Sequence, residues 1–367
     1  MIVKLIEISD LHFGASTLLT QTLYDNLKNN FLSFAIKKQP DIIAICGDYY
    51  HTKLSLTSKE AQYANIFMQE LKASCPNSRI ILVNGTRSHD LNQLEMFRAL
   101  EDDNFKIYTN HCEDYYKNDF HYLVIPEEYF PDKTEYNKYF ETKEKFDWVF
   151  FHGMFNFAGS YALKAGNKFN KICFTPEDFE NCVSGMIVGG HIHDPLSKKN
   201  VEYCGSFERW KHGEEISKGF RYHEYDTKTK KVITDEFIEN VDCAKFVTIN
   251  FKDLPCDNLE ELVKIIKDKS IGITSLRIKV SKGDDITDKQ SENLMAASLQ
   301  FPNVVLYKES KTEIHRNTEE EKKEMEERRK RISEYDGLTF EQITKKYAKE
   351  VFGKSINDEQ IQEVLSS

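Results

Sequence analysis

The chain has 367 residues, too many for one ordinary hydrophobic core, so two or three domains are expected. Hydrophobic residues at 40% and aromatic residues at 12% support a packed globule and argue against a disordered chain. A formal net charge of -10 excludes a generic polyanion binder. Contact with nucleic acid would then need a local basic surface, a metal site or a partner.

The first residues, Met1-Ile2-Val3-Lys4-Leu5, run directly into an apolar strand with no signal peptide. Eight cysteines are scattered without a CxxC pair, which points to the reducing cytoplasm. No apolar stretch approaches the ~20 residues that cross a bilayer, so no membrane association is expected. Buried strands are predicted at 2–8, 42–46, 80–83, 148–151 and 186–188. Helical apolar spacing at 19–37 and 57–72 falls between the early strands, the rhythm of an α/β fold with parallel strands. Later strands at 121–125, 201–203, 220–225 and 232–237 lie closer together and predict a more antiparallel second sheet. Residues 1–240 therefore read as an α/β sandwich of two sheets flanked by helices.

A smaller α/β unit is expected at 243–310, with strands at 245–251, 275–280 and 304–307 and helices at 259–267 and 288–298. Residues 311–367 change character. An acidic-then-basic run at 317–333 suits a solvated helical linker, since the charge order complements the helix macrodipole. Two amphipathic segments follow at 340–352 and 358–365, with too few apolar residues to form a core of their own. Helices of that kind bury their stripe on something else, and a partner protein is expected.

Five polar blocks follow the predicted strands: Asp10-Leu11-His12, Gly47-Asp48, Ser88-His89-Asp90, His152-Gly153 and Gly190-His191-Ile192-His193. An Asp or His just beyond a buried strand gains no packing there, and five repetitions read as one constellation at one edge of a sheet. Aspartate and histidine offer oxygen and nitrogen ligands to manganese, iron or zinc. Asp48 has two oxygens and can bridge two ions ~3.5–4 Å apart, and His191 and His193 can send one ring to each. Such a site lowers the pKa of a bound water and polarises a phosphoryl oxygen. His89 is the candidate acid, with Asp90 expected to orient its ring.

These blocks resemble the calcineurin-like metallophosphoesterase superfamily, whose pattern is D-x-H, G-D, G-N-H-[DE], a His-bearing turn and G-H-x-H. Gly47-Asp48-Tyr49-Tyr50-His51 is similar to the G-D-x-x-[HD] block of its DNA-repair nucleases. Tyr203-Cys204-Gly205-Ser206-Phe207-Glu208-Arg209 resembles their Y-x-G-S-x-x-R segment. The layout is similar to that of SbcD-like nuclease subunits: a phosphoesterase core, a small capping domain and a helical tail that grips an SbcC-like coiled-coil ATPase. The resemblance implies two divalent ions, Mn2+ above all, with Mg2+, Fe2+ or Zn2+ as alternatives. It assigns Asp10, His12, Asp48 and His193 to the first ion, and Asp48, Ser88, His152 and His191 to the second. His89 is then the catalytic histidine, His51 sits near the substrate phosphate or assists the metal shell, and Arg87 and Arg209 are candidate DNA contacts. A homodimer built on residues 19–37 or 57–72 is also implied.

The third block departs from the pattern. Gly85-Thr86-Arg87-Ser88-His89-Asp90 carries two extra residues after the glycine, and Ser88 falls in the asparagine slot. A serine hydroxyl is a poorer donor than a carboxamide, so a weakly bound second ion is expected. The lysines of Lys164–Lys171 are a further candidate for tracking a phosphate backbone. The leading expectation is a metal-dependent DNA nuclease in an ATP-driven end-processing complex. A small-molecule or protein phosphoesterase of the same fold, and a non-catalytic scaffold with a site degraded at Ser88, stay open as alternatives.

Overall fold

A computed structural model describes residues 1–16, 19–90, 92–117, 119–127, 130, 132–158 and 173–308. The expected linker and tail helices at 311–367 and the lysine segment at 164–171 lie outside the described residues. Two compact units divide the chain: Met1–Val280 with Asp284–Tyr307, and Ser281–Gly283 with Lys308–Ser367.

Two six-stranded sheets form the body of the first unit. The first sheet runs, in spatial order, β14 (Lys231–Glu239), β13 (Gly219–Asp226), β1 (Ile2–Ile8), β2 (Ile42–Cys46), β3 (Arg79–Val83) and β4 (Phe105–Tyr108). Strands β1 to β4 are parallel, and β13 joins β1 antiparallel with Ile2 opposite Asp226. The second sheet runs β11 (Leu196–Lys198), β12 (Val201–Tyr203), β10 (Ile187–Gly190), β7 (Trp148–His152), β6 (Phe120–Ile125) and β5 (Cys112–Tyr116). Its four middle strands are parallel, and a separate short parallel pair joins β8 (Met154–Phe155) to β9 (Cys173–Phe174). The early-parallel, late-antiparallel division expected from sequence is thereby corrected. The late hairpin β13–β14 closes the first sheet, while the second sheet has a parallel centre.

Strand alternation explains the layers. Val3 and Leu5 of β1, Ile42, Ala44 and Cys46 of β2, and Trp148 and Phe150 of β7 meet in the core between the sheets. Ile6, Ile8, Ile43 and Ile45 point the other way, under the helices of the first sheet. Both faces are covered, so these strands read as continuous apolar runs. Each fully buried branched side chain contributes roughly 1.5–3 kcal/mol. The helix Lys59–Ser74 starts where the Ser58 hydroxyl accepts from the Ala61 N–H, and it buries Ala61, Ala64, Phe67, Met68 and Leu71 on the sheet. A second helical stretch, 20–38, contains a π-turn at Leu27–Leu32 and packs Phe31 on Phe220 of β13.

After β14 the chain enters a three-stranded sheet of β15 (Phe246–Asn250), β16 (Ser275–Val280) and β17 (Val304–Lys308). Two helices, Leu259–Ser270 and Asp288–Ser298, cover it with Leu262, Ile266, Leu294 and Ala297. His212 joins this module to the loop after β12: its ring meets the Ser275 hydroxyl at 3.0 Å and lies edge-on to Phe246. All eight cysteines are free. No helix among the described residues is long and apolar enough to cross a membrane.

Candidate metal centre

Parallel pairing puts the carboxyl ends of β1, β2 and β3 at one edge of the first sheet, and those of β7 and β10 at one edge of the second. Open α/β sheets bind ligands at that edge. The two edges meet: both Asp10 carboxylate oxygens accept from the His191 N–H, at 3.2 and 3.1 Å. The loops after β1 and β2 are zipped together by His12 N–H to Asp48 O at 2.9 Å and His51 N–H to Phe13 O at 2.9 Å.

Asp10, His12, Asp48 and His191 all have positive φ, at 53°, 48°, 49° and 101°. A non-glycine residue in that region costs about 1–3 kcal/mol, and such strain concentrates at functional sites. Tight backbone approach adds to it. A Cβ on Gly47 would enter the His152 ring, and one on Gly85 would collide with the Asp48 N and Oδ1.

Three triads of donor atoms result, Asp10–His12–His193, Asp48–His152–His191 and His12–His51–His89, each close enough to ligate one ion, and the first two share no residue and can hold two ions at once. In the first, the Nε2 atoms of His12 and His193 are 3.0 Å apart, and Asp10 Oδ1 lies 3.9 Å from each. In the second, His152 Nε2 is 3.4 Å from Asp48 Oδ1. Asp48 Oδ2 is 3.9 Å from His12, so this carboxylate stands between the triads. The donor set fits two divalent ions, since carboxylate oxygens and imidazole nitrogens, mostly buried, converge within ligating distance of one another.

The electrostatics agree with that chemistry. Burial holds His12 well below its usual pKa, leaving the ring neutral and able to donate a lone pair. Burial also opposes charge on His152, but Asp48, Asp10 and Glu127 outweigh it and raise the ring to about 10. The pocket thus favours a cation beside Asp48. Outside the triads, His193 Nδ1 meets Glu214 Oε1 at 3.2 Å, and His152 Nδ1–H donates to Cys46 O at 2.8 Å. Such contacts fix which nitrogen of a histidine faces a metal.

His89, half-buried, has Nε2 4.0 Å from Asp48 Oδ2, and its Nδ1–H donates to the His51 carbonyl. Asp90 does not orient this ring, contrary to expectation. Its two oxygens accept from the Tyr50 and Gly85 N–H groups, at 2.9 and 2.7 Å, and tie the β2 and β3 loops together. Burial and Asp48 push Asp90 up to about 7. His51 stacks on His89 with centroids 4.9 Å apart, and its Nδ1 is 3.4 Å from that of His12.

Ser88 is exposed, as is Arg87. The residue against Asp48 is Thr86, whose N–H donates to Oδ1 at 2.6 Å and whose hydroxyl lies 3.3 Å from Oδ2. The residue of this block that hydrogen-bonds Asp48 is therefore Thr86, with Ser88 exposed on the bulged turn that follows. Arg209 donates to the carbonyls of Ala244 and Ile216, bracing the junction with the three-stranded module.

Sequence reasoning misses two residues of the centre. Glu127 is buried, with Oε2 2.6 Å from the Thr86 hydroxyl, 3.6 Å from His191 Nδ1 and 3.8 Å from His152 Nε2. Its signal is present, because Glu127 follows the apolar run of β6 as the other acidic residues follow theirs. Glu214 carries no such signal; it reaches His193 from a loop.

The chain belongs to the calcineurin-like phosphoesterase family, matched over residues 3–195. Members bind dinuclear divalent metals and hydrolyse phosphoesters. Among solved structures, a predicted phosphoesterase from Streptococcus pneumoniae shares 10% identity at a TM-score of 0.23, covering 62% of this chain and 84% of its own. A Thermus thermophilus protein shares 11% at 0.34, covering 65% and 100%. A dimetal phosphatase from Danio rerio shares 11% at 0.32, covering 60% and 92%. No curated protein matches the chain.

Proposed function

We propose that this member of the family is a metal-dependent DNA phosphodiesterase, the nuclease subunit of an SbcCD-like end-processing complex, working with manganese in the cytoplasm. The observation that carries the reading is His51. In the Gly47–His51 block, the one that resembles DNA-repair nucleases, its ring lies against both His89 and His12.

Two divalent ions held by the triads would supply an activated water and neutralise charge on the phosphoryl oxygens. The protein does the rest. Donation of the His89 Nδ1–H to the His51 carbonyl leaves Nε2 facing the site, where a proton can pass to the leaving oxygen. Burial and the neighbouring His89 hold His51 below its usual pKa. Asp48, His152 and Glu127 form the closed floor, while His193 and His89 remain partly exposed and mark the side from which a strand would approach. Arg87, which is exposed two residues before His89, is proposed to meet a backbone phosphate.

Residues 340–367 are proposed to bind the coiled-coil ATPase, and the helices at 20–38 and 59–74, which expose Ile36 and Ile66, to form a homodimer. The test compares Mn2+-dependent cleavage of linear duplex DNA with hydrolysis of a small aryl phosphodiester. The proposal expects both activities, with His51→Ala lowering DNA cleavage more than aryl diester turnover. Aryl turnover with no DNA cleavage would return the chain to the general phosphoesterases, and neither activity would favour the scaffold.

A further inference from the structure

We infer that Glu127 is a carboxylate ligand of the second ion, held in place by Thr86, and that together they replace the neutral carboxamide of the family's third block. The inference rests on the two-metal reading above.

Ligand atoms sharing one ion at bonds of 2.0–2.2 Å lie about 3–3.5 Å apart. Glu127 Oε2 is 3.6 Å from His191 Nδ1 and 3.8 Å from His152 Nε2, and His152 is 3.4 Å from Asp48. Glu127 Oε2 is thus within a few tenths of an ångström of ligand spacing from both histidine nitrogens of the second triad. The backbone fixes Glu127 there. It follows Pro126 just past β6, and its N–H donates to the Asn84 carbonyl at 3.3 Å, on the strand end that leads to Gly85. Thr86 completes the arrangement by standing between the two carboxylates: its hydroxyl is 2.6 Å from Glu127 and 3.3 Å from Asp48, so one O–H holds either oxygen in place. The same hydroxyl lies 3.5 Å from His152 Nε2, so Thr86 packs against three of the side chains around the second ion.

The cost of the arrangement points the same way. A buried carboxylate loses several kcal/mol of hydration, so it needs strong compensation. The centre now carries Asp10, Asp48 and Glu127, one anion more than the neutral ligand would give. An added oxygen anion favours manganese or magnesium over softer ions.

The experiment is Mn2+ titration of the full chain by calorimetry, with bound metal counted after gel filtration. The wild type is expected to bind two ions. Glu127→Ala should keep the first and weaken the second at least tenfold, Glu127→Gln should weaken it less, and Thr86→Asn in the Glu127→Ala background should restore it in part. Circular dichroism checks that each variant is folded, and the isosteric Glu127→Gln carries the test if Glu127→Ala is not. Two ions bound by the Glu127 variants with wild-type affinity would overturn the inference and leave the two-metal reading intact. So would Ser88→Ala weakening the second ion as much as Glu127→Ala. A wild type that binds no manganese would overturn both.

Discussion

The His193 ring sits between its proposed ion and Glu214, with Nδ1 3.2 Å from Glu214 Oε1 and Nε2 aimed at His12. A carboxylate behind a metal-facing histidine fixes the tautomer and raises the basicity of the ligating nitrogen. His12 completes the same triad without such support, since burial already keeps it neutral.

Glu214→Gln should therefore weaken the first ion about 10–100-fold while leaving the fold intact. Manganese titration followed by a thermal melt checks this. Unchanged affinity would show that the His193 ring needs no support from Glu214.

Metal binding should release a proton. His152 is raised to about 10 in the metal-free protein, so at pH 7.5 it is charged and must lose that proton to ligate. For this one group, affinity for the second ion should rise about tenfold per pH unit between pH 6.5 and 8.5. Calorimetry in buffers of different ionisation enthalpy measures the proton directly. Zero protons released at pH 7.5 would contradict the electrostatic account.

Gly85→Ala should disable the centre with little change in the core. The added Cβ would meet Asp48 at its main-chain nitrogen and Oδ1, so the bridging carboxylate must move. Loss of at least one ion from the metal count, with a cooperative melt retained, is the expected result.

A second buried cluster serves stability. His223 is 3.0 Å from Glu7, 3.2 Å from Glu202 and 3.2 Å from Asp235, between β1, β12 and β14. Burial opposes charge on this ring and raises Glu7, but the carboxylates around His223 raise it well above 6.5. A raised folded-state pKa stabilises fully below 6.5, and the contribution fades as pH rises through the raised value. His223→Gln should cost about 3–5 kcal/mol near pH 6, because it removes the imidazolium that the buried Glu7 carboxylate faces, while Glu202 and Asp235 keep Arg221. The difference from wild type should shrink in alkali, as read from denaturant unfolding at the two pH values.

Much of this molecule can be read from its sequence, for identifiable reasons. Strands β1, β2, β3, β7 and β10 are covered on both faces, and that burial writes itself as largely apolar runs with Asp or His at or shortly after their ends. The helices of the three-stranded module are equally legible, because Thr287 and Asn258 cap them and their apolar spacing is regular. Sheet membership is not. The β13–β14 hairpin alternates like any half-exposed pair, and only a long-range choice sets it beside β1. The third block misleads because an insertion shifts spacing without saying on which side of the ligand it falls. The bulge places Thr86, not Ser88, beside Asp48. Asp90 looks like a partner for His89 by adjacency, yet consecutive residues on a tight turn point apart.

The most direct test of the central claim is anomalous diffraction at the manganese edge from crystals of the full chain soaked in Mn2+. Two peaks should appear, one within Asp10, His12 and His193 and one beside His152 and His191, with Asp48 between them. A map with no peak there, or with its strongest peak at the Glu202–His223–Asp235 cluster instead, would contradict the account.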